Sequence, residues 1–232
     1  MDNHDIPVIT IDGPSASGKG TVARLVAQTL GFHYLDSGAL YRLVALRALQ
    51  DNINTNDEMQ LAAIARQIDF SFENSLVWLD GRNVDDAIRA ESCGEFASRV
   101  AHFSALRAAL LQRQRDFCKS PGLVTDGRDM GSVVFPDAKF KIYLTASVEE
   151  RANRRYKQLK EKGINASIPE LLKMLRERDQ RDSNRTLSPL RQYADAQLLD
   201  TSNLSIDEVV KRILDSYAAT ELHARARTNP VK

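Results

Sequence analysis

The sequence predicts an α/β fold, a five-stranded parallel sheet flanked by helices, on three observations. A β-branched apolar run, Pro7-Val-Ile-Thr-Ile-Asp12, ends at Gly13 and passes straight into helical periodicity. Further short apolar runs then alternate with helical patterns, the order that brings strands together in parallel. Finally, 232 residues suffice for one core with smaller elaborations and do not demand two independent domains.

Taken in order, residues 7–12 read as a buried strand feeding a loop. From Thr21 onward Val22, Leu25, Val26 and Leu30 recur at helical spacing, with Gly31 placed to end the helix. Phe32–Leu35 is the second strand, and Leu40, Leu43, Val44 and Leu46 mark the second helix. Leu123–Thr125, Phe140–Leu144 and Gln197–Leu199 supply the remaining strands.

Two segments interrupt the rhythm. Asp69–Phe72 and Leu76–Leu79, followed by the turn signal Asp80-Gly81, predict a small antiparallel hairpin. A helical pair follows later: Val148–Lys162 stops at Gly163, and Ser167-Ile-Pro-Glu170 matches a capping box for its successor. A second box, Ser205-Ile-Asp-Glu208, opens a C-terminal helix through Val209, Val210, Ile213 and Leu214, with fraying expected after about His223.

Bulk properties narrow the function. The 43% hydrophobic and 27% charged composition is that of a soluble globular protein, and no apolar run is long enough to cross a bilayer. Met1–Asp5 has neither the basic start nor the apolar run of a secretory signal, so the cytoplasm is the expected compartment. Cys93 and Cys118 lack the number and spacing of a zinc or disulfide framework and are expected to be structural or incidental. Net charge is only +1, yet residues 149–191 carry twelve Lys/Arg against seven Asp/Glu. That local excess suits a polyanionic ligand. Nucleic acid is not expected, because the chain as a whole is not basic and lacks aromatic residues interleaved with basic ones.

Chemistry concentrates in Gly13-Pro14-Ser15-Ala16-Ser17-Gly18-Lys19-Gly20-Thr21, which follows a strand and opens a helix, the context of a phosphate-binding loop. Gly13 and Gly18 permit the backbone to curl so that N–H groups point inward, and Lys19 adds a mobile charge. The strict pattern puts Ser or Thr directly after the lysine. Here Gly20 intervenes and the hydroxyl comes from Thr21, so a magnesium ion is expected to be held largely through water; its direct ligands are not assigned. Asp126-Gly-Arg128-Asp129 follows a strand, so its charges should emerge at the carboxyl edge of the sheet, where ligands bind in open α/β folds. Arg178, Arg181, Asp182 and Arg185, spaced by three and four, should share one helix face if the helix persists.

These motifs together resemble the bacterial-type cytidylate kinase family of nucleoside-monophosphate kinases. The resemblance spans almost the whole chain and is carried by Ile11-Asp-Gly-Pro-Ser15, the Gly-Lys-Gly-Thr ending of the loop, Leu35-Asp-Ser-Gly-Ala39 with Tyr41-Arg42, Asp126-Gly-Arg-Asp-Met-Gly131, Val134-Phe-Pro-Asp137 and Arg178-Asp-Gln-Arg-Asp-Ser-Asn-Arg185. Ala16 stands where relatives commonly carry glycine or another small residue and is expected to be harmless. The resemblance implies one P-loop kinase unit: a core of 1–60, 102–150 and 184–224, a monophosphate-binding insert of about 61–101, and a helical lid of about 151–183. It further implies ATP as donor, Mg2+, and CMP or dCMP as acceptor. Ser37, Arg42, Arg128 and Arg185 would hold the acceptor phosphate; Ser98, Arg107 and Asp129 would read the base; Arg178 and Asp182 would contact the sugar. Lys19, Arg128, Arg185 and, on lid closure, Arg154, Arg178 and Arg181 would serve the transferring phosphoryl group. A monomer is expected, since insert and lid must move. Two rivals are a kinase of the same fold acting on an alcohol, which would need a base, and a nucleotide-binding switch, for which no Asn-Lys-x-Asp motif is present.

Overall fold

A computed structural model describes residues 6–73 and 76–228. The reading for Met1–Asp5 and the link between the two expected hairpin strands at residues 74–75 therefore fall outside the described residues. The central sheet is parallel, in the order β2-β6-β1-β7-β8, with β1 Val8–Asp12, β2 His33–Asp36, β6 Leu123–Gly127, β7 Phe140–Thr145 and β8 Gln197–Asp200. All five expected strands are present, each within two residues of its predicted bounds. α1 Lys19–Leu30 and α9 Ile206–Thr228 pack on one face, with Val22, Val26 and Ile213 against Ile9, Ile11 and Ile142. On the other face lie α2 Ser37–Gln50, α3 Glu58–Gln67, α5 Glu91–Val100 and α6 Ser104–Arg115, around a second core that includes Leu40, Leu43, Leu61, Phe96, Leu106 and Leu110. Both faces being covered explains why the strands read as continuous apolar runs.

The insert holds β3 Phe70–Glu73, β4 Leu76–Leu79 and a two-residue β5 Arg82–Asn83, all antiparallel. The expected hairpin thus has a third strand, folded back at Asp80 (φ 48°) and Gly81 (φ 73°), two left-handed residues of the kind a tight hairpin turn needs. A short helix, α4 Asp85–Arg89, leads into α5. α3 lies against α6, so the insert is continuous with the core on that side.

The helical pair expected to form the lid is α7 Val148–Glu161 and α8 Ile168–Ser183, with Gly163 (φ 71°) between them and a separate apolar centre of Ala152, Leu171 and Leu175. Ser167 does stand before α8, but makes no capping hydrogen bond. The Ser205–Glu208 box is formed in both directions: Ser205 N donates to Glu208 Oε2 (2.8 Å) and Glu208 N to Ser205 Oγ (3.3 Å). α9 continues to Thr228, past the point of expected fraying, through alanines and arginines that favour helix. No helix among the described residues is long and apolar enough to cross a membrane. Both cysteines are free thiols, Cys93 buried against the Arg42 carbonyl.

Candidate active site

The carboxyl edge of the sheet assembles the site. β1 delivers the loop 13–18, β2 delivers Asp36 and Ser37, β6 delivers Asp126 to Asp129, β7 leads to the lid, and β8 leads to Thr201. At Gly13 a Cβ would lie 2.0 Å from the Leu144 carbonyl oxygen, so glycine alone lets the loop pass β7. Ala16 adopts φ 57°, where an L side chain costs roughly 1–2 kcal/mol. Its methyl is not idle there: it packs against the apolar centre of the lid. Ser17 Oγ is buried and lacks a hydrogen bond, and Lys19 Nζ rests on the Pro14 carbonyl at 3.3 Å. Burial, and then the nearby Arg128 guanidinium, hold the Lys19 ammonium well below its ordinary pKa.

Facing this loop across one cleft are Ser37, Arg42, Ser98, Arg107, Arg128, Asp129, Arg178, Asp182 and Arg185. All nine side chains expected on the acceptor side thus line the cavity that Ser15, Ala16, Lys19 and Gly20 also line. Asp182 organises them. Its side chain is 1% exposed; Oδ2 accepts from Arg128 Nε (2.8 Å), and Oδ1 from Ser98 Oγ (3.2 Å) and Arg185 Nη2. Burial alone would raise its pKa, but Arg128, Arg185 and Arg178 outweigh burial and bring it down to about 2. Arg107 pairs with Asp129 and donates to the Ala101 carbonyl at 3.1 Å. Arg42 Nη1 donates to the Ile88 carbonyl (2.9 Å), while its Nη2 lies 3.3 Å from where a Cβ on Gly94 would be. Arg178 differs from the rest. Like Arg42 it has no salt-bridge partner among the described residues, but its Nε is also buried without a hydrogen bond there, and burial followed by Arg128 lowers its pKa to about 10.

The depressed Asp182 pKa fixes a pH dependence. The stability it contributes is complete above its ordinary value near 3.8 and is lost as pH falls toward 2. Over that interval, urea unfolding should show a loss of about 2 kcal/mol that the Asp182→Asn variant, less stable overall, does not share.

Two expected residues lie elsewhere. Arg181 does not line this cleft but a neighbouring cavity with Arg99 and His102, and its Nε has no partner. The shared helix face fails here for a geometric reason: position 181 sits about 60° to one side of 178 and position 182 about 40° to the other, which turns Arg181 about 100° away from Asp182, and Arg185 lies beyond the helix end at Ser183, reaching back to Asp182. Arg154 is on the donor side, donating to the Ser17 carbonyl (3.2 Å) and to Thr201 Oγ1 and O (3.1 and 2.6 Å).

Several residues of the site had not been singled out. Asp12 accepts from Met130 N and Gly131 N, both at 2.9 Å, and so pins the backbone that follows Asp129; burial raises its pKa to about 6. Asp126, buried at the N-terminus of α1, accepts from Tyr34 Oη at 2.8 Å, and burial together with the Asp36 carboxylate raises its pKa well above the carboxylate range. Arg151 is 5% exposed and bonds the loop itself. Asp126 stood inside a recognised motif; Arg151 was one basic residue among twelve, with no local signal to separate it.

A phosphate-type loop opposed by cations, at the carboxyl edge of a parallel sheet with a two-helix cover, places the protein among the P-loop kinases. A gluconokinase from Sinorhizobium meliloti has the same fold, with a TM-score of 0.51 at 15% identity over 96% of this chain and 98% of its own. The chain belongs to the cytidylate kinase family, whose profile matches residues 9–219. A cytidylate kinase of Nitrosomonas europaea is 66% identical over 94% of this chain and 98% of its own length, and one of Chromobacterium violaceum is 58% identical over 91% and 96%.

Proposed function

We propose that the protein transfers the γ-phosphate of ATP to CMP or dCMP, giving CDP or dCDP. The observation that carries this reading is Arg178, half-buried with its Nε buried and unbonded and with no salt-bridge partner among the described residues, in a cleft shared with Lys19 and six further arginines. Such a cluster is costly unless an anion completes it. On the acceptor side Ser37, Arg42, Arg128 and Arg185 hold the CMP phosphate, since planar guanidinium groups donate paired hydrogen bonds to phosphate oxygens. On the donor side the loop Gly13–Thr21 and Lys19 hold the ATP phosphates. Arg178 and Asp182 contact the sugar, and Arg154, Arg178 and Arg181 approach the phosphoryl group when the lid shifts, so that the anion completing the Arg178 site is the phosphoryl group itself. An alcohol acceptor is disfavoured by the arginines gathered on that side and by the relatives' names.

No base is needed. A phosphate monoester has its second pKa near ~6, so the attacking oxygen is already ionised at neutral pH. What the residues must do is bring two polyanions into line, offset their repulsion and exclude water, whose attack would waste ATP. The fit for Mg2+ rests on the Thr21 hydroxyl and the Asp36 and Asp126 carboxylates, hard oxygen donors at the start of α1. Asp126 is raised first by burial and then by the Asp36 carboxylate beside it, and the second of these is a crowding of negative charge that a dication relieves. Bound there, the ion would neutralise charge on the donor phosphates. The reading also takes the enzyme to be a cytoplasmic monomer.

The test is a coupled assay of ADP formation from ATP with CMP, dCMP, UMP or AMP, or with none of them. Turnover that depends on CMP or dCMP supports the reading; turnover indifferent to them removes it. The base is read by Ser98, Arg107 and Asp129: the carboxylate accepts from the cytosine N4 amine, where uracil offers an acceptor. Asp129→Ala is therefore expected to lower the CMP-to-UMP ratio of kcat/KM by ~10-fold or more, corresponding to about 1–3 kcal/mol of discrimination. An unchanged ratio would assign base reading elsewhere.

A further inference from the structure

Resting on the kinase reading, we infer that Arg151 and Asp179 are positioning residues which couple the donor loop to the acceptor site, so that each substrate changes the affinity for the other. Arg151 lies in the first turn of α7, is 5% exposed, and has no place in the binding roles given above. Its guanidinium makes a fork to Asp179, Nη1 to Oδ1 at 3.1 Å and Nη2 to Oδ2 at 2.6 Å. The same group donates from Nε to the Ala146 carbonyl (3.0 Å) and from Nη1 to the Ser15 carbonyl (3.2 Å). One buried side chain thus joins the end of β7, the middle of the phosphate loop and α8.

Ser15 is the meeting point of two such ties. Arg151 holds its carbonyl, and Arg128 Nη2 holds its hydroxyl at 2.8 Å. Each arginine is paired with an aspartate of α8, Arg151 with Asp179 and Arg128 with Asp182, three residues apart. Because a peptide is planar and trans, holding the Ser15 carbonyl directs the Ala16 N–H away from Arg151. Arg154 does the same for the next-but-one peptide through the Ser17 carbonyl, and the Ala16 methyl packs on the lid centre between them. Donor-loop peptide orientation is therefore set by the lid.

The acceptor phosphate works on the other tie. Arg128 has two alternatives, Asp182 or the incoming phosphate. When phosphate draws it away, α8 loses one attachment to Ser15 and keeps the one through Asp179 and Arg151. A shift of α8 then reaches the loop through that remaining connection, and an occupied loop resists or favours the shift in turn. Coupling of this kind is reciprocal, with factors typically of 5–150-fold.

The test measures CMP affinity by calorimetry with and without a saturating non-hydrolysable imido analogue of ATP, in the wild type, Asp179→Asn and Arg151→Lys. In the wild type the analogue is expected to change CMP affinity by about 5-fold or more. In both variants the factor should fall below about 2-fold, while CMP affinity without the analogue stays within about 2-fold of wild type. A merely structural role would weaken both affinities and leave their ratio intact. Asp179, one-quarter exposed, decides the matter alone if Arg151→Lys does not fold. Variants that keep the wild-type factor, or a wild type with no coupling, overturn the inference and leave the kinase reading standing. A wild type that does not bind CMP at all would instead remove the reading of the acceptor site.

Discussion

Lys19→Ala is expected to lower kcat by roughly 10²- to 10³-fold, the range seen when one preorganised donor to a developing negative charge is removed. The lysine is the loop's one mobile cation, and its ammonium is held near the Pro14 carbonyl at a depressed pKa until phosphate arrives. An anionic donor raises that pKa again, so the charged form is favoured when it is needed. Steady-state rates at saturating CMP check the effect, with an unchanged urea midpoint showing that the fold survives. Rates within a few-fold of wild type would mean that the loop binds no reacting phosphate.

Arg185→Ala is expected to lower kcat/KM for CMP by ~10²-fold, in line with losing one member of a buried charge pair at a binding surface. Arg185 is 7% exposed and shares Asp182 Oδ1 with Ser98, so it cannot be replaced by water without cost. Asp182 keeps Arg128, which limits the damage to the fold. The KM for ATP is the internal control: it should barely move. If kinetics with CMP are unaltered, the arginine belongs to the architecture of α8 and not to substrate recognition.

The sheet was legible because buried parallel strands announce themselves as short apolar runs, and the loop because glycine, lysine and helix onset fall in a fixed order. Of the nine acceptor-side residues, Arg128, Asp129, Arg178, Asp182 and Arg185 stood out by strand position or helical spacing, whereas Ser37, Arg42, Ser98 and Arg107 were reached only through a family resemblance, since nothing local distinguishes Arg107 from its helical neighbours. What escaped notice was set by tertiary contact. Asp12 matters through two backbone amides more than a hundred residues away. Arg151 matters through Ser15 and Asp179, which no spacing rule connects. Arg181 looked equivalent to Arg178 by number, but helical rotation sends it to a different cavity. The short strand β5 went unseen because two residues are too few to leave a pattern.

Asp182 gives the cleft a resident anion. Its carboxylate occupies Arg128 and Arg185, the two arginines that the proposed role gives to the substrate phosphate. Entry is thus an exchange of one counter-ion for another, and the net gain in attraction is far smaller than a row of bare arginines would give. Under the proposed roles, a surface so arranged would be a poor trap for free phosphate or sulfate and would release a doubly phosphorylated product readily, since the carboxylate stands ready to take its place.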